Sequence, residues 1–359
     1  MFRTLKYLLW LLLPFGIIHL WVVILRNELY DWRILKTARL PKPVISIGNI
    51  QMGGTGKTPM TINLLANLQS KGVSVGVLTR GYKRKSAKNM IIHKGDGEDK
   101  KGLWESIGDE PAIILEKITN GALGIGADRW RVGKKILEQN PIDLFLLDDG
   151  LQHRGLHRDL DICLIDVTRW EPHPFLFPFS YLRDGKSSLK RCHAVVFTKI
   201  GDKPDKAQKL RDRIMRRYRI PVYEGDLEAQ SLVRIRDGGE INLTEMRGQK
   251  AAAFCGIANP LHFFTMLKQE RIDLVLEKKY PDHHNYIFDD LHYLEGIIKQ
   301  KGANTAITTE KDAAKLRELL RGDAFNGVEF YFLRVEFAVK EEKEFFELIQ
   351  RSAPPKSFN

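Results

Sequence analysis

The chain has 359 residues, of which 43% are hydrophobic and 28% are charged. This globular composition excludes an intrinsically disordered protein and leaves room for two domains. The formal net charge of +12 favours an anionic partner such as nucleic acid, membrane phospholipid or a phosphorylated substrate. Cys163, Cys192 and Cys255 lie far apart in or beside apolar runs, which argues against a disulfide framework or a zinc site.

The amino-terminal stretch from Tyr7 to Leu25 is a run of nineteen residues without a charge. As a helix it would extend roughly 28 Å, close to the thickness of the hydrocarbon core of a bilayer. Five of the seven basic residues in 1–42 follow this run, which favours a catalytic domain in the cytoplasm. We predict that residues 1–40 form a membrane-associated helix that either spans the bilayer or lies flat on it. A buried helix of the soluble domain is the alternative.

A glycine-rich loop follows the apolar run of residues 44–48. Its sequence over 51–58, Gln-Met-Gly-Gly-Thr-Gly-Lys-Thr, predicts a phosphate-binding loop in which backbone N–H groups and a lysine surround a polyphosphate. Gln51 occupies the place of the usual first glycine, so a simple glycine-rich turn is the alternative. The Thr58 hydroxyl would face Mg²⁺. The predicted cofactor-binding residues are Gly53, Gly54, Thr55, Gly56, Lys57 and Thr58.

Strand and helix patterns alternate after this loop, and in a doubly wound sheet the carboxyl ends of the strands meet at one edge, where ligands bind. Asp148 and Asp149 directly follow one buried run, and because adjacent carboxylates repel each other, we interpret them as a metal site. Asp109 and Glu110 lie at a predicted helix start, where an N-cap is the alternative role for Asp109. The predicted strands cover 44–48, 73–79, 142–147, 160–166 and 194–199, and Thr58, Arg80, Asp148, Asp149 and Lys199 fall at such ends.

The pattern changes near residue 221. Residues 221–243 predict a hairpin or linker around Asp237-Gly238-Gly239, and a smaller α/β unit follows. The predicted fold class is therefore α/β: a P-loop protein with a doubly wound, mostly parallel sheet, a second, smaller α/β domain and an N-terminal membrane-associated helix. The predicted division is 1–40 for the helix and its basic flank, 41–222 for the P-loop core, 223–247 for the linker and 248–359 for the smaller domain.

Short polar motifs are spread over most of the chain. They are Gly48-Asn49, the segment from Gly53 to Pro59, Thr79-Arg80-Gly81-Tyr82, Gly108-Asp109-Glu110-Pro111, Ala127-Asp128-Arg129, the segment from Asp148 to His153, Leu182-Arg183, Asp282-His283 and Thr309-Glu310-Lys311-Asp312. Their order and spacing resemble the tetraacyldisaccharide 4′-kinases of lipid A synthesis, a family of bacterial membrane-associated lipid kinases. The family also lacks the first glycine of the loop. Asp184 departs from the family pattern, which has glutamate after Leu-Arg.

The resemblance implies transfer of the ATP γ-phosphoryl group to the 4′-hydroxyl of tetraacyldisaccharide 1-phosphate, giving lipid IVA. It implies ATP and Mg²⁺ as cofactors, and the lipid substrate and the cytoplasmic face of the bacterial inner membrane as partners, with no nucleic acid and no obligate protein partner. Asp109 and His283 would act together as the base, beside Lys57. Thr58, Asp148 and Asp149 would hold Mg²⁺, and the implied phosphate or substrate contacts are Arg80, Glu110, Arg129, His153 and Arg183.

Two other classes of protein remain as alternatives. The first is a membrane-anchored P-loop ATPase or GTPase that acts as a switch or targeting factor. Against it, Asp202 falls one residue late for a guanine-reading turn, and Met52 stands where dimerising ATPases carry a second lysine. The second is a nucleic-acid-binding protein, which only the charge suggests. Neither class explains Asp109, Asp282-His283 and the carboxy-terminal unit together.

Overall fold

The structure is a computed structural model that describes residues 2–81, 89–93, 106–173, 175–177, 179–201, 203–320, 325 and 327–352, with the backbone alone for residues 2–13 and 15. The chain forms two compact units. Unit 1 comprises Met1–Asp226 and Phe337–Asn359, and unit 2 comprises Leu227–Glu336. The sequence places residues 248–359 in one domain, whereas the chain returns to unit 1 at Phe337 because one long strand continues across that boundary.

Helices and strands alternate along most of the chain. The helices are α1 (Phe2–Asp31), α2 (Lys57–Ser70), α3 (Asp109–Lys117), α4 (Arg129–Gln139), α5 (Pro204–Tyr218), α6 (Pro260–Gln269), α7 (Phe288–Gln300), α8 (Glu310–Leu316) and α9 (Glu342–Ser352). The strands are β1 (Val44–Asn49), β2 (Val75–Thr79), β3 (Met90–His93), β4 (Gly121–Ile125), β5 (Leu144–Asp148), β6 (Leu160–Asp166), β7 (Ala194–Thr198), β8 (Val222–Arg234), β9 (Glu240–Asn242), β10 (Lys250–Cys255), β11 (Asp273–Lys279), β12 (Thr305–Thr309) and β13 (Glu329–Val339).

Unit 1 is built on a mostly parallel sheet with the strand order β8-β7-β6-β1-β5-β2-β4-β3. Only β3, among the strands described in this unit, pairs antiparallel, with β4. Every residue of β1, β2, β5, β6 and β7 is buried, as continuous apolar runs require when helices cover both faces of a sheet. These five strands confirm the predicted ones, and β1 lies between β5 and β6, so their carboxyl ends are neighbours.

Helix α1 packs on unit 1 through its second half. Leu20 and Val23 contact a buried apolar cluster that includes Leu176 and Leu182. The opposite face is apolar as well, since it exposes Ile17, Ile18, Trp21, Val22 and Leu25. Within the part of the chain whose side chains are described, no helix combines the length and the apolar character needed to cross a membrane.

The strands of unit 2 follow the order β11-β10-β12-β13-β8, with β9 beside β8. The strands β10 to β13 pair in parallel, and helices α6, α7 and α8 supply its apolar clusters. Strands β8 and β9 pair antiparallel around the turn that contains Gly238, whose φ of 80° suits glycine. This pairing confirms the predicted hairpin.

Candidate active site

The glycine-rich loop connects β1 to α2 in a conformation that needs glycine at two positions. Gly53 has φ 94° and Gly56 has φ 91°, values that residues with a side chain rarely adopt. A Cβ atom at Gly53 would overlap the Arg169 guanidinium, and one at Gly56 would lie 3.0 Å from the Phe337 ring. The Asn49 amide donates to Thr55 Oγ1 at 2.6 Å. The conformation of the loop is therefore fixed by its glycine backbone angles and by the buried Asn49 side chain of β1.

Gln51 explains how the loop does without its first glycine. Its side chain is fully buried and pairs twice with the Asp166 backbone at the end of β6: Nε2 donates to the carbonyl at 3.0 Å, and Oε1 accepts from the N–H at 2.8 Å. The Gln51 backbone forms an isolated bridge with Leu182. The side chain thus fixes the start of the loop between β6 and the 182 segment, where a glycine would leave those backbone groups without this partner.

Asp148 ends β5 and is 2% exposed. Its carboxylate accepts hydrogen bonds from Thr61 at 3.1 Å and Thr79 at 3.4 Å. Burial, followed by repulsion from Glu110 and Asp149, raises the pKa of Asp148 to about 7. The hydroxyls that contact Asp148 belong to Thr61, one helical turn beyond Lys57, and to Thr79, whereas the sequence directs attention to Thr58.

Asp149 differs sharply from its neighbour. Its backbone is left-handed, with φ 52°, and its carboxylate lies 3.7 Å from Lys57 Nζ. Arg183 donates through both terminal nitrogens, with Nη1 3.0 Å from Asp149 Oδ2. Desolvation opposes ionisation, but Lys57 and Arg183 outweigh it and hold the pKa of Asp149 at about 2. At neutral pH Asp149 is therefore ionised, whereas the pKa of Asp148 lies close to neutral pH.

Arg129 and His153 form a second polar group on unit 1. Arg129 begins α4 and is buried, and its Nη1 lies 3.2 Å from His153 Nδ1. Burial, followed by repulsion from Arg129, lowers the pKa of His153 to about 4. Burial, followed by repulsion from Arg80, lowers the pKa of Arg129 to about 10. At neutral pH the guanidinium is therefore charged and the imidazole is neutral.

The structure brings most of the predicted residues of unit 1 into one electrostatic group at the strand ends. The charge of Glu110 raises the pKa of Asp148, and the charge of Arg80 lowers the pKa values of both Arg129 and His153. Gly108 is the N-cap of α3, with φ 92°, and Asp109 is its first helical residue. The N-cap interpretation of Asp109 is therefore wrong. Tyr82, from the motif that contains Arg80, lies outside the described residues.

His283 belongs to unit 2, where its backbone is left-handed with φ 65°. Its N–H donates to the Gly256 carbonyl at 3.0 Å. Its Nε2 atom lies 3.4 Å from Lys311 Nζ and 3.9 Å from an Asp282 carboxylate oxygen. Lys311 and Asp282 thus give the imidazole a charged neighbour of each sign, and both come from motifs identified in the sequence.

Residues outside the predicted site set also support the glycine-rich loop, among them Lys199, which the sequence places at a strand end without assigning it a role. Lys199 follows β7 with φ 52°, contacts the Gly54 carbonyl and lies 3.2 Å from Asp166. Its place at a strand end was the available signal, whereas Asp166 and Thr61 acquire their partners through contacts distant in sequence. Within the described ranges, no group of three or more His, Cys, Asp and Glu side chains is arranged to hold a metal ion.

Comparisons with known proteins identify relatives along most of the chain. The family model described as tetraacyldisaccharide-1-P 4′-kinase matches residues 8–353. Proteins named tetraacyldisaccharide 4′-kinase from Pelobacter propionicus and Syntrophus aciditrophicus are 35% and 34% identical over 316 and 337 residues. These alignments cover 88% and 91% of this chain, and 85% and 88% of the relatives.

The fold has a solved counterpart. A crystal structure of LpxK from Aquifex aeolicus in complex with ATP superposes with a TM-score of 0.73 at 28% identity, covering 95% of this chain and 98% of the other. The mixed α/β fold with its large, mostly parallel sheet is thus shared along nearly the whole length of both proteins. Together with the family model and the two relatives, it shows that this chain belongs to the tetraacyldisaccharide-1-P 4′-kinase family.

Proposed function

We propose that this chain is an ATP-dependent lipid kinase, which transfers the γ-phosphoryl group to the 4′-hydroxyl of tetraacyldisaccharide 1-phosphate and forms lipid IVA. Family membership supports the activity and the substrate. The observation that carries the proposal within the molecule is the pair Asp148 and Asp149, with pKa values shifted in opposite directions, beside Lys57 and the glycine-rich loop. Phosphoryl transfer depends on positioning and charge stabilisation, which such a group supplies.

The nucleotide phosphates would bind at the loop from Gly53 to Thr58. Its left-handed glycines turn backbone N–H groups towards one side, and Lys57 at the start of α2 carries the charge for the outer phosphates. In the structure Lys57 Nζ lies 3.7 Å from Asp149 Oδ1, which directs the side chain to the strand ends. ATP is the nucleotide bound in the Aquifex aeolicus structure.

The chemistry of the acidic residues fits Mg²⁺. A buried carboxylate with a pKa of about 7 has an unfavourable charge that a nearby cation would stabilise. Asp148, Asp149 and the Thr58 hydroxyl would hold the ion, either directly or through its waters. When bound, Mg²⁺ neutralises phosphate charge. Thr61 and Thr79 keep the Asp148 carboxylate oriented by hydrogen bonds.

We assign the general-base role to Asp109 and His283, following the family resemblance. Local features of each residue support the assignment. Asp109 opens α3 beside Glu110, whose charge raises the pKa of Asp148. His283 has a strained left-handed backbone, which is common where function over-determines the conformation. The base would accept the proton of the acceptor hydroxyl as the phosphoryl group arrives.

The arginines would bind phosphate groups of the two substrates. Arg183 is already bidentate towards a carboxylate, the geometry that also suits phosphate. Arg129 is charged and lies beside a neutral His153, so a phosphate oxygen could accept from both the guanidinium and the imidazole N–H. Arg80 and Glu110 are the remaining proposed phosphate or substrate contacts. Arg80 lowers the pKa values of Arg129 and His153, and Glu110 raises the pKa of Asp148, so both belong to the same charged group.

We also propose that the protein works at the cytoplasmic face of the bacterial inner membrane. The exposed apolar face of α1 supports this location, with Trp21 and Leu25 65% and 54% exposed. The basic residues that follow the apolar run, such as Arg33, Lys36 and Arg39, suit anionic headgroups. Cell fractionation tests the location, and recovery of the intact protein only in the soluble fraction would contradict it.

A radiolabel assay tests the kinase activity. Purified protein is incubated with Mg²⁺, γ-labelled ATP and tetraacyldisaccharide 1-phosphate in detergent micelles. We expect label in the lipid with the wild type and with the control Lys135→Ala, whose lysine is exposed on α4. Lys57→Ala should lower the rate by at least about a hundredfold, because the phosphate charge loses its fixed partner. Equal labelling by Lys57→Ala would remove the loop from the mechanism.

A further inference from the structure

Asn27 connects α1 to unit 1 at defined polar atoms. Its side chain is 8% exposed, and its Nδ2 donates to Asp184 Oδ1 at 3.1 Å. The backbone carbonyl of Asn27 accepts from Arg154 Nη1 at 2.7 Å, and Arg154 Nη2 donates to Asp31 Oδ1 at 2.6 Å. The last turns of α1 are therefore fixed by hydrogen bonds as well as by the apolar contacts of Leu20 and Val23. An anchor that only attached the protein to lipid would not need such contacts.

Asp184 is the acceptor at the centre of this network, and its side chain is completely buried. Its Oδ2 accepts from Arg191 at 3.0 Å and from Gln152 at 3.3 Å, while its Oδ1 accepts from the Gly185 N–H at 2.8 Å. Burial opposes ionisation, but Arg191 and the hydrogen-bond donors outweigh it and hold the pKa of Asp184 below its usual range. A buried carboxylate depends on all of its donors, and Asn27 supplies one of them from α1.

The network continues into the candidate active site. Gln152 also donates to the Asn49 carbonyl at 2.9 Å, and Arg183 donates to the same carbonyl at 3.4 Å. Arg183 directly precedes Asp184 and forms the bidentate contact with Asp149. Asp149 therefore fixes the end of the Arg183 side chain. The contacts of Asp184, the next residue, fix the Arg183 backbone, and we call these two residues the Arg183-Asp184 turn.

We propose that Asn27 is a positioning residue, which holds the Arg183-Asp184 turn in the arrangement that phosphoryl transfer requires. Helix α1 would then support the active site directly, in addition to attaching the protein to a membrane. The proposal rests on the proposed kinase function. It involves residues of unit 1 alone, and its contacts are hydrogen bonds between named side-chain and backbone atoms.

Kinetics of full-length variants in detergent micelles test the proposal. Asn27→Ala should lower kcat about tenfold, the usual effect of losing a hydrogen bond to a buried charge. It should leave the KM for ATP within about twofold, and it should lower the melting temperature by a few degrees, because the buried Asp184 carboxylate loses one donor. Asn27→Asp preserves the volume but places an acceptor against Asp184, so its kcat should fall at least as far. Glu28→Ala, on the exposed neighbour, is the matched control and should behave as the wild type.

The volume-preserving variant separates positioning from packing. If Asn27 only fills space, Asn27→Asp keeps the wild-type kcat, and that result would overturn the proposal. A double mutant gives a second criterion: adding Asn27→Ala to Arg183→Ala should cost less than about twofold, because Asn27 acts through Arg183. A further tenfold loss in that background would also overturn it.

Hydrogen exchange gives a readout that does not depend on kinase activity. The Arg183 and Asp184 N–H groups donate to the Ile50 carbonyl at 2.9 and 3.3 Å. Asn27→Ala should speed their exchange at least about threefold relative to Glu28→Ala, because the turn loses a support. Unchanged exchange would contradict the role of Asn27. A wild-type protein that does not phosphorylate the lipid would instead refute the proposed function, and the exchange result would stand apart from it.

Discussion

Asp148 and Asp149 show how two adjacent residues of one type acquire different chemistry. Asp148 ends a buried strand, and among the described residues its carboxylate accepts from the Thr61 and Thr79 hydroxyls, while burial and neighbouring carboxylates outweigh the charge of Lys57. Asp149 takes the left-handed backbone conformation, and its side chain meets Lys57 and Arg183. The strain at Asp149 thus accompanies the separation of the two pKa values. An ionised Asp149 next to an Asp148 with a raised pKa suits the cation-dependent phosphoryl transfer that we propose.

The raised pKa of Asp148 gives a prediction for stability. A folded-state pKa of about 7, against about 3.9 for an unfolded aspartate, means that folding takes up a proton between these values. The contribution of Asp148 to the stability of the metal-free protein should therefore fall as pH rises from about 4 to 7 and level off above 7. Asn at position 148 cannot ionise, so Asp148→Asn should be more stable than the wild type by roughly 2–4 kcal/mol at pH 8, with a much smaller difference at pH 4.

Chemical denaturation in EDTA at the two pH values measures this difference. Asp212→Asn, on the exposed face of α5, is the control and should shift stability little at either pH. Asp148→Asn should also lose kinase activity, because the carboxylate that would face Mg²⁺ is gone. A variant that is less stable than the wild type at pH 8 would show that Asp148 is ionised at no cost in the folded state.

At the scale of the element, the loop between β1 and α2 depends on glycine geometry. Gly56 has φ 91° with the Phe337 ring close by, whereas Gly248 in unit 2 has φ 72° with open space around it. Alanine at either site should destabilise the fold by about 1 kcal/mol or more, because its Cβ disfavours the left-handed region. Only Gly56→Ala should lower kinase activity, by at least about tenfold, as measured by label transfer to lipid. Equal activity of the two variants would remove the loop conformation from the catalytic argument.

Helix α1 has two faces with different expected roles. The double variant Leu20→Ala and Val23→Ala removes apolar contacts with the buried cluster and should lower the free energy of unfolding by about 2 kcal/mol. The double variant Trp21→Ser and Leu25→Ser changes exposed positions and should instead weaken flotation with vesicles of phosphatidylethanolamine and phosphatidylglycerol, leaving stability close to the wild type. If both variants act on stability alone, the exposed face has no role at a membrane.

At the scale of the whole molecule, the sequence predicts which segments form strands better than it predicts which distant segments pair or contact each other. Buried apolar runs identified β1, β5 and β6, and the carboxyl end of β5 located the acidic pair. Strand β4 was missed because Gly121-Ala-Leu-Gly-Ile125 is short and rich in glycine. The return of the chain through β13 to unit 1 was missed because it depends on pairing between distant segments, which periodicity does not encode. The same limit hid the contacts of Asn27 and Gln51.

The net charge of +12 also gives a prediction for the whole molecule. We expect tighter binding to vesicles with anionic lipid than to duplex DNA at physiological salt, because an exposed apolar face accompanies the basic residues. Raising the salt concentration should abolish DNA binding first, since that binding is purely electrostatic. Co-sedimentation over a salt series measures both affinities. Tighter binding to DNA throughout the series would favour the nucleic-acid-binding alternative.

The position of the transferred phosphate tests the proposed reaction most directly. Wild-type protein, Mg²⁺-ATP labelled in the γ-phosphoryl group and tetraacyldisaccharide 1-phosphate are incubated in micelles, and the lipid is analysed by tandem mass spectrometry. We expect one labelled phosphate per lipid, on the 4′-hydroxyl of the sugar that lacked one, and none with Lys57→Ala. Consumption of ATP with an unchanged lipid would contradict the kinase and would favour a membrane-anchored switch ATPase.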